Sequence, residues 1–182
     1  VSPYAASAAS YVKISDGCDR FCSFCAIPYI RGRYHSFSYE EIRTAVAERV
    51  DAGVREITLI AQDTGRWGED FESPSTTARL LDGLASEFSD TWFRLMYIEP
   101  QGVTDELLDV IAAHGNICSY LDVPLQHASE TVLRAMNRRG SAKSHGELIE
   151  RIRLRVPGIT LRTTLIAGFP GETEEDFEEL CE

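Results

Sequence analysis

The 182-residue sequence predicts an α/β fold in which five strand–helix units build a parallel sheet. Two observations predict this class. Short segments that are apolar, or that alternate apolar with polar residues, take turns with segments whose apolar residues recur every three to four positions. Motifs that cap helices stand before several of the helical segments. Because strands and helices alternate strictly, we expect parallel strands joined by right-handed crossovers.

The strands are short and spaced to leave room for a helix between each pair. The first alternates in polarity, whereas the second reads as a buried strand. We predict strands at residues 11–15, 56–61, 92–98, 120–125 and 159–167.

Several helices carry recognisable start or stop signals. The first is predicted to begin with a capping box formed by Ser38 and Glu41 and to end at Gly53. A second capping box is predicted from Ser144 to Glu147. The other helical faces, identified by periodic apolar residues, lie at 80–88, 104–111, 132–136 and from 173 onward.

Composition narrows the function classes. No apolar run approaches the length that spans a membrane, and the first ten residues lack the basic start and apolar core of a signal peptide. We interpret residues 1–10 as a linker and 11–182 as one domain. The five cysteines fit a reducing cytoplasm. The net charge of −11 disfavours general nucleic-acid binding. It either attracts a basic partner or only keeps the protein soluble.

Cys18, Cys22 and Cys25 form the most informative motif, Cys-x-x-x-Cys-x-x-Cys. A 4Fe-4S cluster has four irons, and each needs an outer ligand. Three cysteines leave one iron open to a small molecule, and an open coordination position is typical of a catalytic metal site. Gly17 allows the chain to turn sharply into this loop.

A zinc site is the alternative for these cysteines, with His35 as a fourth ligand. Structural zinc sites usually pair their ligands across two separated knuckles, which this spacing does not do. Cys118 and Cys181 lie far from the motif in the sequence and are not predicted to join it.

The cysteine motif, with an aromatic residue before its last cysteine and a strand before the loop, resembles the radical S-adenosylmethionine (SAM) superfamily. The resemblance implies a partial (β/α) barrel of six strands, of which five units are present here. It also implies that SAM chelates the open iron. The reduced cluster then cleaves SAM to methionine and a 5′-deoxyadenosyl radical.

The ends of the strands in such a barrel carry the cofactor and substrate contacts. Polar side chains after the second and fourth strands suit the methionine end of SAM, and an arginine suits its carboxylate. Glycines after the fifth strand allow the backbone to approach adenine closely. The predicted SAM contacts are Gln62, Asp63, Gln126, Arg138, Gly168 and Pro170. No general acid or base is assigned.

Segments 124–129, 133–138 and 168–173 together resemble the methylthiotransferase branch of this superfamily. That resemblance implies two further domains that are absent from this sequence. One is an N-terminal domain that holds a second 4Fe-4S cluster, and the other is a C-terminal β-barrel. It also implies sulfur insertion at an unactivated carbon, a methyl group from a second SAM, and a one-electron reductant such as flavodoxin or ferredoxin.

Two branches of methylthiotransferases compete as models. One modifies the β-carbon of an aspartate in ribosomal protein S-twelve, and the other modifies an adenosine in tRNA. The segment 61–64, Ala-Gln-Asp-Thr, is similar to the ribosomal-protein branch, since the tRNA branch usually has Gly-Gln-Asn there. A basic ribosomal protein also suits the acidic chain. A non-catalytic metal-binding or electron-transfer module is the alternative from another class.

Overall fold

The computed structural model describes residues 7–182, so residues 1–6 of the predicted linker lie outside the described part. The strands are β1 (Ala9–Lys13), β2 (Ser15–Asp16), β3 (His35–Ser36), β4 (Glu56–Ile60), β5 (Trp92–Leu95), β6 (Tyr120–Asp122) and β7 (Thr160–Arg162). The helices are α1 (Ile27–Arg31), α2 (Tyr39–Asp51), α3 (Thr77–Glu87), α4 (Asp105–Ala113), α5 (Glu130–Ala135), α6 (Ala142–Arg155) and α7 (Glu174–Cys181). Strand β1 begins at Ala9, inside the predicted linker.

The main strands are parallel and follow one another in sequence order. Strands β1, β4 and β5 form one sheet, and β6 pairs with β7 in a second. An isolated parallel bridge between Phe93 and Ile117 joins the two, and the Ile98 amide donates to the Asp122 carbonyl. Within residues 7–182, β1 and β7 do not pair, so the run of strands stays open.

Four strands are shorter than predicted: β4 by one residue, and β5, β6 and β7 by more. Strand β5 ends at Leu95 because Tyr97 adopts a left-handed backbone conformation, with φ of 61°. After β6 and β7, the Thr163 hydroxyl interrupts the ladder: it donates to the Val123 carbonyl and accepts from the Leu125 amide. A side chain thus replaces backbone pairing where a longer fifth strand was expected.

The predicted helix starts are mostly confirmed. Ser38 and Glu41 form the expected capping box of α2, and Thr173 caps α7. The capping box predicted at Ser144 and Glu147 is wrong. Ser141 is the N-cap of α6, and Ser144 is its reciprocal partner three residues later. A serine can fill either role, so the spacing alone misplaced this start by one turn.

The core lies between the parallel strands and the helices that cover them. Strand residues such as Ile57, Leu59 and Phe93 are fully buried. Helices α2, α3, α4 and α6 each add buried aliphatic side chains to this cluster. This packing holds the carboxyl ends of β1, β4, β5 and β6 at one edge, where the site is found. Among residues 7–182, no helix has both the length and the apolar character needed to cross a membrane.

Candidate metal and cofactor site

The cysteine loop leaves the sheet at the base of a small hairpin. Strands β2 and β3 pair antiparallel and bracket residues 17–34. Gly17 has φ of 76°, and a Cβ there would lie 2.1 Å from the Arg33 carbonyl oxygen, so only glycine fits. The Cys18 amide donates to the Gly32 carbonyl at 3.1 Å. This confirms the sharp turn predicted at Gly17 and shows what the turn packs against.

A second anchor of the loop comes from the segment after α5. The Asn137 side-chain amide donates to the Arg20 and Phe21 carbonyls at 3.2 and 3.0 Å. Ser23 donates through its amide to the Met136 carbonyl and through its hydroxyl to the Ala135 carbonyl. Asn137 was not predicted from the sequence, because its partners lie more than a hundred residues away.

The three cysteines open into one cavity of about 370 Å³. Its other lining residues come from the cysteine loop, the start of α1, the segments that follow β4, β5, β6 and β7, and the segment after α5. They are Arg20, Phe24, Ile27, Ala61, Gln62, Tyr97, Glu99, Pro124, Gln126, Arg138 and Thr164. The structure therefore brings Gln62, Gln126 and Arg138, three of the residues predicted to contact SAM, to the same cavity as the cysteines.

Two buried acceptors in this cavity lack partners. The Oε1 atoms of Gln62 and Gln126 make no hydrogen bond within residues 7–182. A buried polar atom without a partner costs about 1–3 kcal/mol, so these atoms indicate a site built for a polar ligand. The residues present thus fit a cofactor that carries hydrogen-bond donors, such as SAM.

The three cysteine thiols line the same cavity and are available as ligands. All three thiols are free, and burial raises the pKa of Cys18, with the Asp63 charge adding to the effect. Within residues 7–182, no three His, Cys, Asp or Glu side chains are arranged to hold one metal ion. A 4Fe-4S cluster distributes its ligands over separate irons. The zinc alternative requires His35 as a fourth ligand, and His35 is not among the residues that line the cysteine cavity. His35 lies in the β2–β3 hairpin and is exposed.

Arg138 and Glu99 form a buried ion pair beside Cys22. Their side chains are 7% and 13% exposed, and two short contacts of 2.7 and 2.6 Å join the guanidinium to the carboxylate. Burial works against the charge of Arg138, but its hydrogen bond to Glu99 raises the pKa above the ordinary value. Glu99 is not among the SAM contacts predicted from the sequence. Here it lines the cavity.

Asp63 does not line the cavity, contrary to the prediction. Its side chain is 1% exposed and pairs with Arg20 at 2.7 Å. Its other oxygen accepts from the amides of Gly65 and Glu99 at 3.2 and 3.4 Å. Both carboxylate oxygens of Asp63 thus accept hydrogen bonds from the protein. Asp63 therefore connects the cysteine loop to the ends of β4 and β5 instead of facing a ligand.

Gly168 and Pro170 are also not among the residues that line the cysteine cavity. Both are exposed, and a Cβ at Gly168 would meet no atom within 4 Å. Glycine is needed there because φ is 76°. The loop turns back on itself instead, with the Phe169 amide donating to the Glu172 carboxylate at 2.8 Å.

Left-handed backbone conformations are concentrated at this site. The four non-glycine residues with positive φ in the described part of the chain are Phe21, Tyr97, Gln126 and Asn137. Tyr97 and Gln126 line the cavity, and the other two belong to the cysteine loop and its anchor. Such conformations cost about 1–3 kcal/mol each and are typical of functional sites. No local sequence signal identified these four positions.

Comparison with known proteins decides the family. The family model described as "Radical SAM superfamily" matches residues 12–182. The chain belongs to the radical SAM superfamily. This confirms the resemblance based on the cysteine motif. It also explains why the cysteine loop follows the first strand and why its cavity gathers the strand ends.

Curated relatives with similar sequences include several that share one name. The chain is 46% identical over 178 residues to "Ribosomal protein uS12 methylthiotransferase RimO" of Natranaerobius thermophilus, and 48% identical over 171 residues to the protein of that name from Elusimicrobium minutum. These alignments cover 98% and 94% of this chain. The chain spans 40% of the length of each of these curated relatives.

Solved radical SAM structures share the fold at low sequence identity. The methyltransferase TsrM from Kitasatospora setae, with cobalamin and a [4Fe-4S] cluster bound, matches 94% of this chain and 33% of its own, with TM-score 0.74 and 17% identity. Coproporphyrinogen III oxidase HemN from Escherichia coli matches 95% of this chain and 40% of its own, with TM-score 0.62 and 18% identity. The predicted α/β radical SAM fold is thereby confirmed.

Proposed function

We propose that this chain is the SAM-binding core of a methylthiotransferase that modifies the β-carbon of an aspartate in ribosomal protein uS12. The observation that carries the proposal is the cavity that joins Cys18, Cys22 and Cys25 to Gln62 and Gln126, since it combines three thiol ligands with unpaired acceptors. The names of relatives at 43–48% identity supply the reaction and the substrate.

In this proposal, the residues of the cavity have separate tasks. Cys18, Cys22 and Cys25 hold a 4Fe-4S cluster, leaving one iron for SAM. The Gln62 and Gln126 oxygens accept hydrogen bonds from SAM. When bound and reduced, the cluster supplies the electron for the reductive cleavage of SAM.

The surroundings keep these groups in place. Arg20, held by Asp63, and Asn137 fix the cysteine loop from two sides. Phe24 and Ile27 give the cavity apolar walls, which limit the access of water to a cluster. The chain's own contribution is therefore positioning and exclusion of solvent.

Three parts of the proposal concern what lies outside this chain. The second 4Fe-4S cluster is assigned to an N-terminal domain and the substrate-binding β-barrel to a C-terminal one. The electron comes from a flavodoxin or ferredoxin.

Because ribosomal proteins are made and modified where ribosomes work, we assign the enzyme to the cytoplasm. The acidic chain, with a net charge of −11, suits a basic protein substrate better than direct contact with nucleic acid.

A tRNA adenosine is the second candidate substrate. Two observations favour uS12 over tRNA. The segment 61–64, whose Ala61 and Gln62 line the cavity, is similar to the ribosomal-protein branch, and the relatives are named uS12 methylthiotransferases.

The test uses the full-length enzyme that contains this chain, reconstituted with iron and sulfide without oxygen. It is incubated with SAM, a reductant, and either uS12 or unmodified tRNA, and the masses of the products are measured by mass spectrometry. We expect a methylthio mass gain on uS12 only, and none on uS12 whose target aspartate is changed to alanine. A gain on tRNA alone would contradict the substrate. A colourless protein without iron would contradict the reaction and favour a non-catalytic module.

A further inference from the structure

We propose that Arg138 and Glu99 form a charge pair that sets the reduction potential of the cluster bound at Cys22, with Arg138 raising the potential and Glu99 lowering it. This inference rests on the proposed cluster at Cys18, Cys22 and Cys25. It assigns Arg138 a task on the cluster side of the cavity, in addition to its place among the predicted SAM contacts.

The guanidinium of Arg138 is almost fully engaged by protein acceptors. Its Nη1 donates to Glu99 at 2.7 Å and lies 3.8 Å from the Cys22 sulfur. Its Nη2 donates to the Pro124 carbonyl at 2.8 Å and contacts Glu99 at 2.6 Å. These four contacts fix the cation against the sulfur. They leave only the Nε–H without a described acceptor, which is little for binding a carboxylate in the bidentate manner.

Glu99 cannot turn away to solvent, because its carboxylate is 13% exposed and both oxygens contact Arg138. The other arginines near the loop differ. Arg20 is paired with Asp63, and Arg139 is exposed and has no described partner. Arg138 is the cation that donates to a cysteine sulfur among the described hydrogen bonds.

The physical consequence follows from the charge of the cluster. Reduction adds one electron, so a cation and a hydrogen-bond donor at a ligand sulfur stabilise the reduced form and raise the potential. A nearby carboxylate does the opposite. Both effects are strong because screening by water is weak at a buried site. Because the charges of Arg138 and Glu99 cancel, the pair keeps the reduction potential low and still places a hydrogen-bond donor at the Cys22 sulfur.

Substitutions of Arg138 and of Glu99 should shift the reduction potential of the cluster in opposite directions. In the reconstituted full-length protein without SAM, Arg138→Gln should lower the midpoint potential of this cluster. Glu99→Gln should raise it, because Arg138 keeps its anchor on the Pro124 carbonyl and loses its counter-charge. Arg138→Lys, which retains the charge, should lie nearer to the parent than Arg138→Gln. A role confined to packing would not produce shifts of opposite sign.

The measurement is a redox titration followed by electron paramagnetic resonance. Signals from other clusters are subtracted with a variant in which Cys18, Cys22 and Cys25 are all alanine. Arg139→Gln, at the exposed neighbour, is the matched control and should leave the potential unchanged. Shifts of the same sign in Arg138→Gln and Glu99→Gln, no shift in either, or loss of the cluster from both would overturn the proposal.

The two proposals fail in different ways. A parent protein that binds no iron at these cysteines removes both. If the parent holds the cluster and modifies uS12, but the reduction potential of the cluster is unchanged in the Arg138 and Glu99 variants, only the charge-pair proposal is wrong. If the two variants shift the reduction potential in opposite directions but the enzyme modifies tRNA, the charge-pair proposal stands and the proposed uS12 substrate is wrong.

Discussion

Arg20 in the cysteine loop forms an ion pair with Asp63, which follows strand β4, at 2.7 Å. The aspartate is 1% exposed, whereas the arginine is 27% exposed. Forty-three residues separate the two in sequence, so the contact joins the cysteine loop to the framework that supports it. The stability of the loop should therefore depend on a residue that does not touch the cavity.

Asp63→Asn should destabilise the protein by about 2 kcal/mol, because it removes one member of a largely buried charge pair. It should also reduce iron retention. Chemical denaturation followed by circular dichroism measures the first effect, and iron analysis the second. Glu106→Gln is the control, since Glu106 and Arg79 form an exposed pair at 3.8 Å. That change should cost less than about 0.5 kcal/mol. Equal costs for both variants would contradict the structural role of Asp63.

Cys22→Ser should lower the iron content of the reconstituted protein by about four irons per chain, because the remaining two cysteines cannot hold a cluster. Cys118→Ser is the matched control. Cys118 is half-buried beside Trp92 and Arg94, away from the cysteine cavity. Its removal should leave the iron and the visible absorbance unchanged. Iron loss in the Cys118 variant would show that the ligands are assigned wrongly.

Gln62→Leu should weaken SAM binding about tenfold without loss of iron, because it removes a buried acceptor that has no partner in the protein. Equilibrium dialysis with labelled SAM measures the affinity. Gln101→Leu serves for comparison, since Gln101 lines a neighbouring polar pocket and accepts from Arg20 at 3.4 Å. Unchanged affinity in Gln62→Leu would remove Gln62 from the SAM site.

His145 should make stability depend on pH. Burial lowers the pKa of His145, and the positive charge of Arg138 lowers it further. With the folded pKa below the unfolded value of about 6.5, the unfolded state binds the proton first as the pH falls. The contribution to stability is therefore present above the unfolded pKa and is lost as the pH falls towards the folded one.

Unfolding free energies measured from about pH 7.5 to about pH 5.5 should decline, and the decline should be smaller in His145→Gln. The comparison uses the slope with pH in each protein, so any packing cost of the substitution cancels. A slope that is the same in both proteins would show that His145 does not contribute to the pH dependence.

Short-range patterns in the sequence predicted much of this molecule. The cysteine motif, the turn at Gly17, the capping box at Ser38 and the cap at Thr173 were all visible because their partners lie within a few residues. The alternation of strands and helices predicted parallel pairing, since short apolar segments separated by helices have few other ways to pack. Gln62 and Gln126 were expected beside the cysteine loop because strand ends meet at one edge, and both line its cavity.

Only the tertiary structure decided which polar side chains face the cavity. Gln62 and Asp63 are neighbours in sequence, yet the first lines the cavity and the second is buried against Arg20. The pairing of Arg138 with Glu99 and the anchoring of the loop by Asn137 likewise join residues 39 or more positions apart. Sequence determines such contacts only through the packing of the whole sheet, because hydrogen bonds and ion pairs need their groups within a few ångströms and no local pattern records the partner.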